Sequence, residues 1–422
     1  MVFLGQMTYS FPHMRDMLGK KVKFVIISAV LCLSAANAYA AESKLLVDRL
    51  GDGQLDTGFY VYGLKVVPIV ELTLKHDSNI TRAETNPISS YIGIFKPVLD
   101  ITAGTEINFL NFNYAFERGE YTSSKNDSYT DHFIKLTKHN EPSSRTMYEV
   151  TAKYSKSHDA RGTTFSGIVT GFDSPDKWHE TAARAKFSYG SKKATGRIVL
   201  DGGYAAKRYD NHRTLTAARD MDNSEIGAIF YYGAGERLSA LVEARYETFD
   251  YKLTGSLLNS KEITLYTGFA WEATGKTTGT IKVGWQGKNM KLNSVPSASY
   301  LSWDASIKWE PLTYSTWMLK TGFRSEESDG TGSFTKVMDV NLDWNHQWSK
   351  RLSQTIKTTF RRDTFVGSLR RDKYRAAGIS FNYDMASWLG IGAGYSYSKR
   401  DSNAANAGYT QSIITLALIG AL

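Results

Sequence analysis

The stretch Leu301-Ser302-Trp303-Asp304-Ala305-Ser306-Ile307-Lys308-Trp309 decides the fold class. Every odd position is apolar and every even one polar. A helix advances about 100° per residue and would smear this pattern round its circumference, whereas a strand sends successive side chains to opposite faces. The segment is therefore a strand with one greasy face and one wet face. The same period of two recurs elsewhere. Leu110, Phe112, Tyr114 and Phe116 alternate with Asn111, Asn113, Ala115 and Glu117. Tyr148, Val150, Ala152 and Tyr154 alternate with Glu149, Thr151, Lys153 and Ser155, and Met338, Val340, Leu342 and Trp344 with Asp339, Asn341 and Asp343.

Extending the count from Val67 to Leu422 predicts about eighteen strands of roughly 9–11 residues, a length that spans a bilayer when tilted. They are expected to begin near residues 68, 90, 107, 131, 147, 179, 194, 224, 237, 262, 279, 300, 314, 336, 352, 373, 388 and 411. Short connections (Thr102–Thr105, Gly190–Ala194, Gly233–Arg237, Glu310–Thr313) alternate with long ones. The long ones are His76–Ile88, Arg118–Thr130, Lys156–Lys177, Lys207–Asn223, Asp250–Lys261, Gly287–Ser299, Arg361–Asp372 and Lys399–Tyr409. That alternation is expected of an antiparallel up-and-down transmembrane barrel with short periplasmic turns, and it puts both termini in the periplasm. Trp271, Trp309, Trp344, Trp348, Tyr383 and Trp388 lie beside short turns, where amphipathic rings would form an interfacial girdle. After residue 40 no apolar run is long enough for a membrane helix. The last segment, Tyr409 to Leu422, carries Ile414, Leu416 and Leu418 on one face and is expected to close the barrel.

The N-terminus reads as an export signal. Lys20, Lys21 and Lys23 precede an apolar run from Phe24 to Ala36, of about thirteen residues against the ~20 a membrane helix needs. Ala38-Tyr39-Ala40 supplies the small-x-small cleavage pattern, so residues 1–40 are expected to be removed, residues 1–16 reading as an upstream extension. Residues 41–64 form a periplasmic lead and residues 65–422 the barrel. The single cysteine, Cys32, falls within the signal, which leaves no thiol for disulfides, metal or nucleophilic chemistry. Cleavage removes four basic residues and one acidic, taking 51 against 42 to 47 against 41, a dispersed net charge of +6 with no basic tract fit for nucleic acid.

If the apolar faces meet lipid, the polar faces line a lumen, and sixteen to eighteen strands leave that lumen open to water. Candidate lumen-facing cations are Lys135, Lys153, Arg184, Lys186, Arg197 and Arg245, followed by Lys282, Lys308, Lys320, Arg324 and Lys357. They would attract an anionic solute or pair across the wall with acids such as Asp201, Glu243 and Asp304; the interleaving of signs favours pairing. Tyr231 and Tyr266 are candidate stacking platforms for sugar rings. No cofactor or metal site is expected, since His76 with Asp77 supplies too few ligands and Gly51-Asp52-Gly53 lacks the rest of a calcium loop. Catalysis would need a Ser–His or Asp–His constellation near the rim. His158 beside Asp159, and His212 near Asp210, are the conceivable pairs, but charged loop residues are normally solvated and the expectation is a non-enzyme.

One stretch carries a family resemblance. Val67-Pro68 opens the first strand, His76-Asp77-Ser78-Asn79-Ile80-Thr81-Arg82 ends it, and Ile94-Phe95-Lys96-Pro97-Val98-Leu99-Asp100 lies in the second. This resembles the start of the beta-barrel porin 2 family of Gram-negative bacteria, with Asp77 and Asn79 matching its turn motif. The resemblance implies an outer-membrane port for a secreted exopolysaccharide, because family members are often associated with such synthesis loci. It also implies delivery by periplasmic polysaccharide-export proteins and insertion into outer-membrane lipid by the barrel-assembly machinery, as a monomeric barrel. The alternative is a general or oligosaccharide uptake porin. Read without the family, Asp77 and Asn79 are a turn that organises the first outer loop.

Overall fold

The computed structural model describes residues 58–163, 172–191, 194–233 and 237–422. The expected signal peptide and residues 41–57 of the expected lead lie outside the described residues. One antiparallel sheet runs through the chain. Its first strands are β1 (Phe59–Val61), β2 (Leu64–Asp77), β3 (Ser90–Thr105), β4 (Asn108–Tyr121), β5 (Tyr129–Ser143), β6 (Thr146–Asp159) and β7 (Asp176–Tyr189). Then come β8 (Gly196–Tyr209), β9 (Met221–Gly233), β10 (Leu238–Tyr251), β11 (Ser260–Thr274), β12 (Thr277–Met290) and β13 (Ala298–Leu312). The last are β14 (Ser315–Glu327), β15 (Phe334–Gln347), β16 (Leu352–Val366), β17 (Arg371–Ala386), β18 (Leu389–Ser402) and β19 (Tyr409–Ala421). Strands β2 to β19 form a closed wall of eighteen, because β19 pairs with β2 from Ile413 opposite Asp77 to Ala421 opposite Ile69. Closure satisfies every ladder without a free edge, which a hydrocarbon surround demands.

The faces are sorted as lipid requires. In β2, Val70, Leu72 and Leu74 are 42%, 48% and 51% exposed, while Glu71, Thr73 and Lys75 between them are 3%, 6% and 4% exposed. A water-soluble barrel would have the reverse. The apolar set is the outer surface and the polar set is the inner wall. At the short-turn rim Trp309, Trp348, Tyr383 and Trp388 stand exposed, and Trp344 stacks on Trp317 at 5.0 Å.

Strand starts lie within a few residues of the expected ones, but the strands are longer. β16 runs on to Val366 and β18 to Ser402, and β12 reaches Met290, so much of the expected long connections is strand. Toward the long loops charged residues crowd both faces and buried rings such as Phe249, Phe334 and Phe365 turn inward, so the apolar alternation fades while the backbone ladder continues. The first barrel strand opens at Leu64 rather than at Pro68, because β1 folds back on it through Tyr62 and Gly63, pairing Phe59 with Val66. Pro68 lies in the interval on that edge between the end of β1 and the end of β19. Its missing N–H therefore interrupts no ladder, and its carbonyl accepts from the Leu422 N–H at 3.1 Å. Pro97 acts similarly: the β3–β4 register passes from Phe95 opposite Arg118 to Val98 opposite Ala115. The chain enters β2 and leaves β19 at the same, short-turn rim.

Candidate pore lining and rim

Inner-wall charges meet mostly across the sheet. The guanidinium of Arg184 reaches Asp201 at 2.9 Å and also bonds Glu225, two strands away. Arg245 contacts Asp201 at 3.0 Å, Glu225 at 3.2 Å and Glu243 at 3.4 Å. Lys282 continues the chain, to Glu243 at 3.0 Å and Asp304 at 3.3 Å. Arg324 binds Glu326 and Asp339, Arg361 binds Glu326 and Asp363, and Lys308 binds Glu310 at 2.9 Å. Lys186 stands opposite Asp201 in the register, and Lys357 opposite Asp343.

Many of these bonds skip a strand, and inward-facing glycines make that possible. Gly203 lies between Arg184 and Glu225, and Gly227 between Asp201 and Arg245. A Cβ on Gly227 would sit 2.8 Å from the Asp201 Oδ1 and 2.9 Å from the Arg245 Cζ. The middle strand thus leaves a shallow window over which two long side chains join hands. Gly284 does the same for Tyr266, whose hydroxyl crosses it to meet Ser302 at 2.5 Å.

That arrangement corrects the reading of the tyrosines as open sugar platforms. Tyr266 is buried against the wall, and one face of Tyr231 is covered by the Arg197 guanidinium, 4.2 Å from the ring centroid. On β5 and β6 Lys135 stands directly opposite Lys153, and both are exposed to the lumen. Like charges directly opposite one another disfavour the ladder, and Glu180 on the neighbouring β7 lies close enough to feel the charge of Lys153. Lys320, opposite Ser306 and Asn341, is also exposed.

The long-loop rim is tied together from several sides. Arg219, in the connection 210–220, donates to the Ser328 carbonyl in the connection 328–333, although strands β9 to β14 separate the two in sequence. Arg370 joins Asp372 at 2.6 Å and Asp329 at 3.1 Å. Burial works against its charge, yet the two carboxylates hold its pKa above the ordinary guanidinium value. Lys288, in a segment whose sequence looks like a loop, is fully buried between Glu262 and Glu327 with the Phe249 ring 3.6 Å away.

Asp77 and Asn79 are buried at the seam. The Asn79 N–H donates to Asp77 Oδ1 at 2.8 Å, forming the turn, and the Asn79 amide side chain donates to the Ala83 and Thr410 carbonyls. The side-chain amide of Gln411 donates to both Asp77 oxygens, at 3.0 and 2.8 Å. The motif shapes the first long connection and also staples the first barrel strand to the last.

The histidines pair, but not with the expected partners. Asp159 follows His158 within β6, and consecutive strand residues diverge. His158 instead meets Asp131 at 3.1 Å, and Asp159 binds the Trp178 and Tyr209 side chains. Asp210 pairs with His179 at 2.8 Å, while His212 pairs with Asp176 at 2.7 Å. The Nε2 of His212 lies 3.2 Å from the Ser174 hydroxyl, and the Phe172 ring stacks on the imidazole at 3.9 Å.

Comparison with known proteins gives one family. The family model described as "Putative beta-barrel porin 2" matches residues 56–420. No curated protein matches. Among solved structures, OpdL from Pseudomonas aeruginosa is 10% identical with a TM-score of 0.46, covering 86% of this chain and 99% of that one. A BenF-like porin from Pseudomonas fluorescens Pf-5 is 8% identical with a TM-score of 0.47, covering 86% of this chain and 100% of that one. The FrpB iron transporter of Neisseria meningitidis is 10% identical at 0.45, covering 79% of this chain; the chain spans 62% of that longer one.

Proposed function

This chain belongs to the beta-barrel porin 2 family, an outer-membrane porin-like barrel, and on that premise we propose that it is the conduit by which a secreted exopolysaccharide leaves the cell. A closed wall of eighteen strands is in the size range that leaves an aqueous channel rather than a packed core. A hydrated polymer needs such a bore lined by fixed polar groups, and the cross-strand ion pairs supply one without a dense charge of either sign. The observation that carries the reading to an acidic polymer is the opposed, lumen-exposed pair Lys135 and Lys153, which favours passing anions. Short turns face the periplasm in barrels of this kind. With both ends of the wall at the short-turn rim, the termini would then be periplasmic, where export proteins deliver the polymer.

The test is conductance of the purified barrel in planar bilayers. Long acidic oligosaccharides added on one side should enter and interrupt the current, and more often when the membrane potential drives the anion inward. An open current indifferent to long chains but blocked by short sugars would instead favour an uptake porin.

A further inference from the structure

We propose that Ser174, His212 and Asp176 form a hydrolytic triad at the long-loop mouth of the lumen, acting on a short-chain carboxylic ester carried by the passing polymer. The ester's identity rests on the export reading; the triad itself does not. An ionised Asp176 can only accept, so the His212 Nδ1 at 2.7 Å must carry the proton. That tautomer leaves Nε2 as the acceptor, and Nε2 is the nitrogen 3.2 Å from the Ser174 Oγ. The polarity is the one a nucleophilic serine requires: base at the hydroxyl, carboxylate behind the base.

The surroundings hold the three in place. Asp176 and Trp178 are buried inner-face residues of β7, so the triad faces the lumen rather than lipid, which selects a water-soluble ester over a membrane lipid. Phe172 lies flat on the imidazole, with an interplanar angle of 15°. Asn211 zips the two segments, accepting from the Lys177 N–H at 2.6 Å and donating to the Pro175 carbonyl at 2.9 Å. His212 itself has φ 52°, in the left-handed region where residues other than glycine are uncommon. Such geometry tends to mark sites where orientation matters more than local stability.

The step balances without a co-reactant other than water. The Ser174 proton passes to the His212 Nε2 as Oγ bonds to the acyl carbon. The bond from that carbon to the alcohol oxygen breaks, and the leaving oxygen takes the proton from Nε2. Water, deprotonated by the same nitrogen, then attacks the acyl-serine and releases the carboxylic acid, and Ser174 regains its proton.

The experiment uses the full barrel folded in detergent, its folding checked by heat-modifiable mobility. A fluorophosphonate probe should label Ser174, located by peptide mass spectrometry. Ser174→Ala and His212→Ala should each lower p-nitrophenyl acetate hydrolysis at least a hundredfold. Asp176, a positioning residue, is read through rescue: Asp176→Asn should slow labelling at least tenfold, and Asp176→Glu, which keeps a carboxylate to face the His212 Nδ1, should restore part of that rate. Folded protein without label at Ser174, or Ser174→Ala hydrolysing the ester like the parent, overturns the proposal. Neither measurement requires polymer export, so the triad and the export reading can fail separately.

Discussion

Asp77 near the start of the barrel wall and Gln411 near its end are joined by two hydrogen bonds, at 3.0 and 2.8 Å, from one amide group to both carboxylate oxygens. The pair closes the seam at the long-loop rim, where β2 and β19 have only just begun to pair. Both residues are buried. Removing either strands a polar group away from water, at a cost of about 1–3 kcal/mol. Asp77→Ala and Gln411→Leu should each lower the unfolding free energy read from urea titration by that order. The double variant should cost less than the sum, since both single variants lose the same shared contact; additive losses would mean that the two do not act as a pair.

The glycine windows make a second prediction about the wall. A Cβ on Gly284 would lie 1.8 Å from the Leu265 carbonyl oxygen, a backbone atom that cannot swing aside, whereas one on Gly93 would meet nothing within 4 Å. Gly284→Ala should destabilise the barrel by about 2 kcal/mol or more, while Gly93→Ala should stay within about 0.5 kcal/mol of the parent. Equal unfolding midpoints for the two variants would remove the argument.

The outer face answers to lipid. Leu72 is half exposed in β2 and flanked by inner-face Glu71 and Thr73. Leu72→Arg should cost about 2–4 kcal/mol in lipid vesicles if it lies near the bilayer midplane. Thr73→Ser, inside the wall, should change stability little. Reversal of that order would place lipid on the wrong face of the sheet.

Lumen electrostatics are tested by charge reversal at the opposed lysines of β5 and β6. Lys135→Glu with Lys153→Glu should shift the reversal potential of a salt gradient toward cation selectivity, with folding retained, since the parent pair is mutually repulsive. Lys282→Glu, by contrast, would place a third acid beside Glu243 and Asp304 and should impair stability before selectivity.

The barrel itself was legible in residues such as Leu301 to Trp309, because lipid outside and water inside impose a pattern with period two. Strand length was less so. Arg361 and Lys399 each open a charged run, Arg361-Arg362-Asp363 and Lys399-Arg400-Asp401, which is how loops also look. Ion pairs such as Arg245 with Asp201 depend on register and on the small residue between, Gly227, so the lumen charges could be named but not matched. The histidines show the same limit: His212 finds Asp176 thirty-six positions away rather than nearby Asp210. A glycine recurring at inner-face positions, as at 203, 227 and 284, was the available signal for the strand-skipping contacts.

The claim that polymer passes through this barrel is tested most directly by deleting it from its host and assaying polysaccharide in the periplasm and at the cell surface. Polymer should be trapped in the periplasm and depleted outside, and the parent barrel should restore it to the surface. Unchanged surface polysaccharide, with none retained inside, would contradict it.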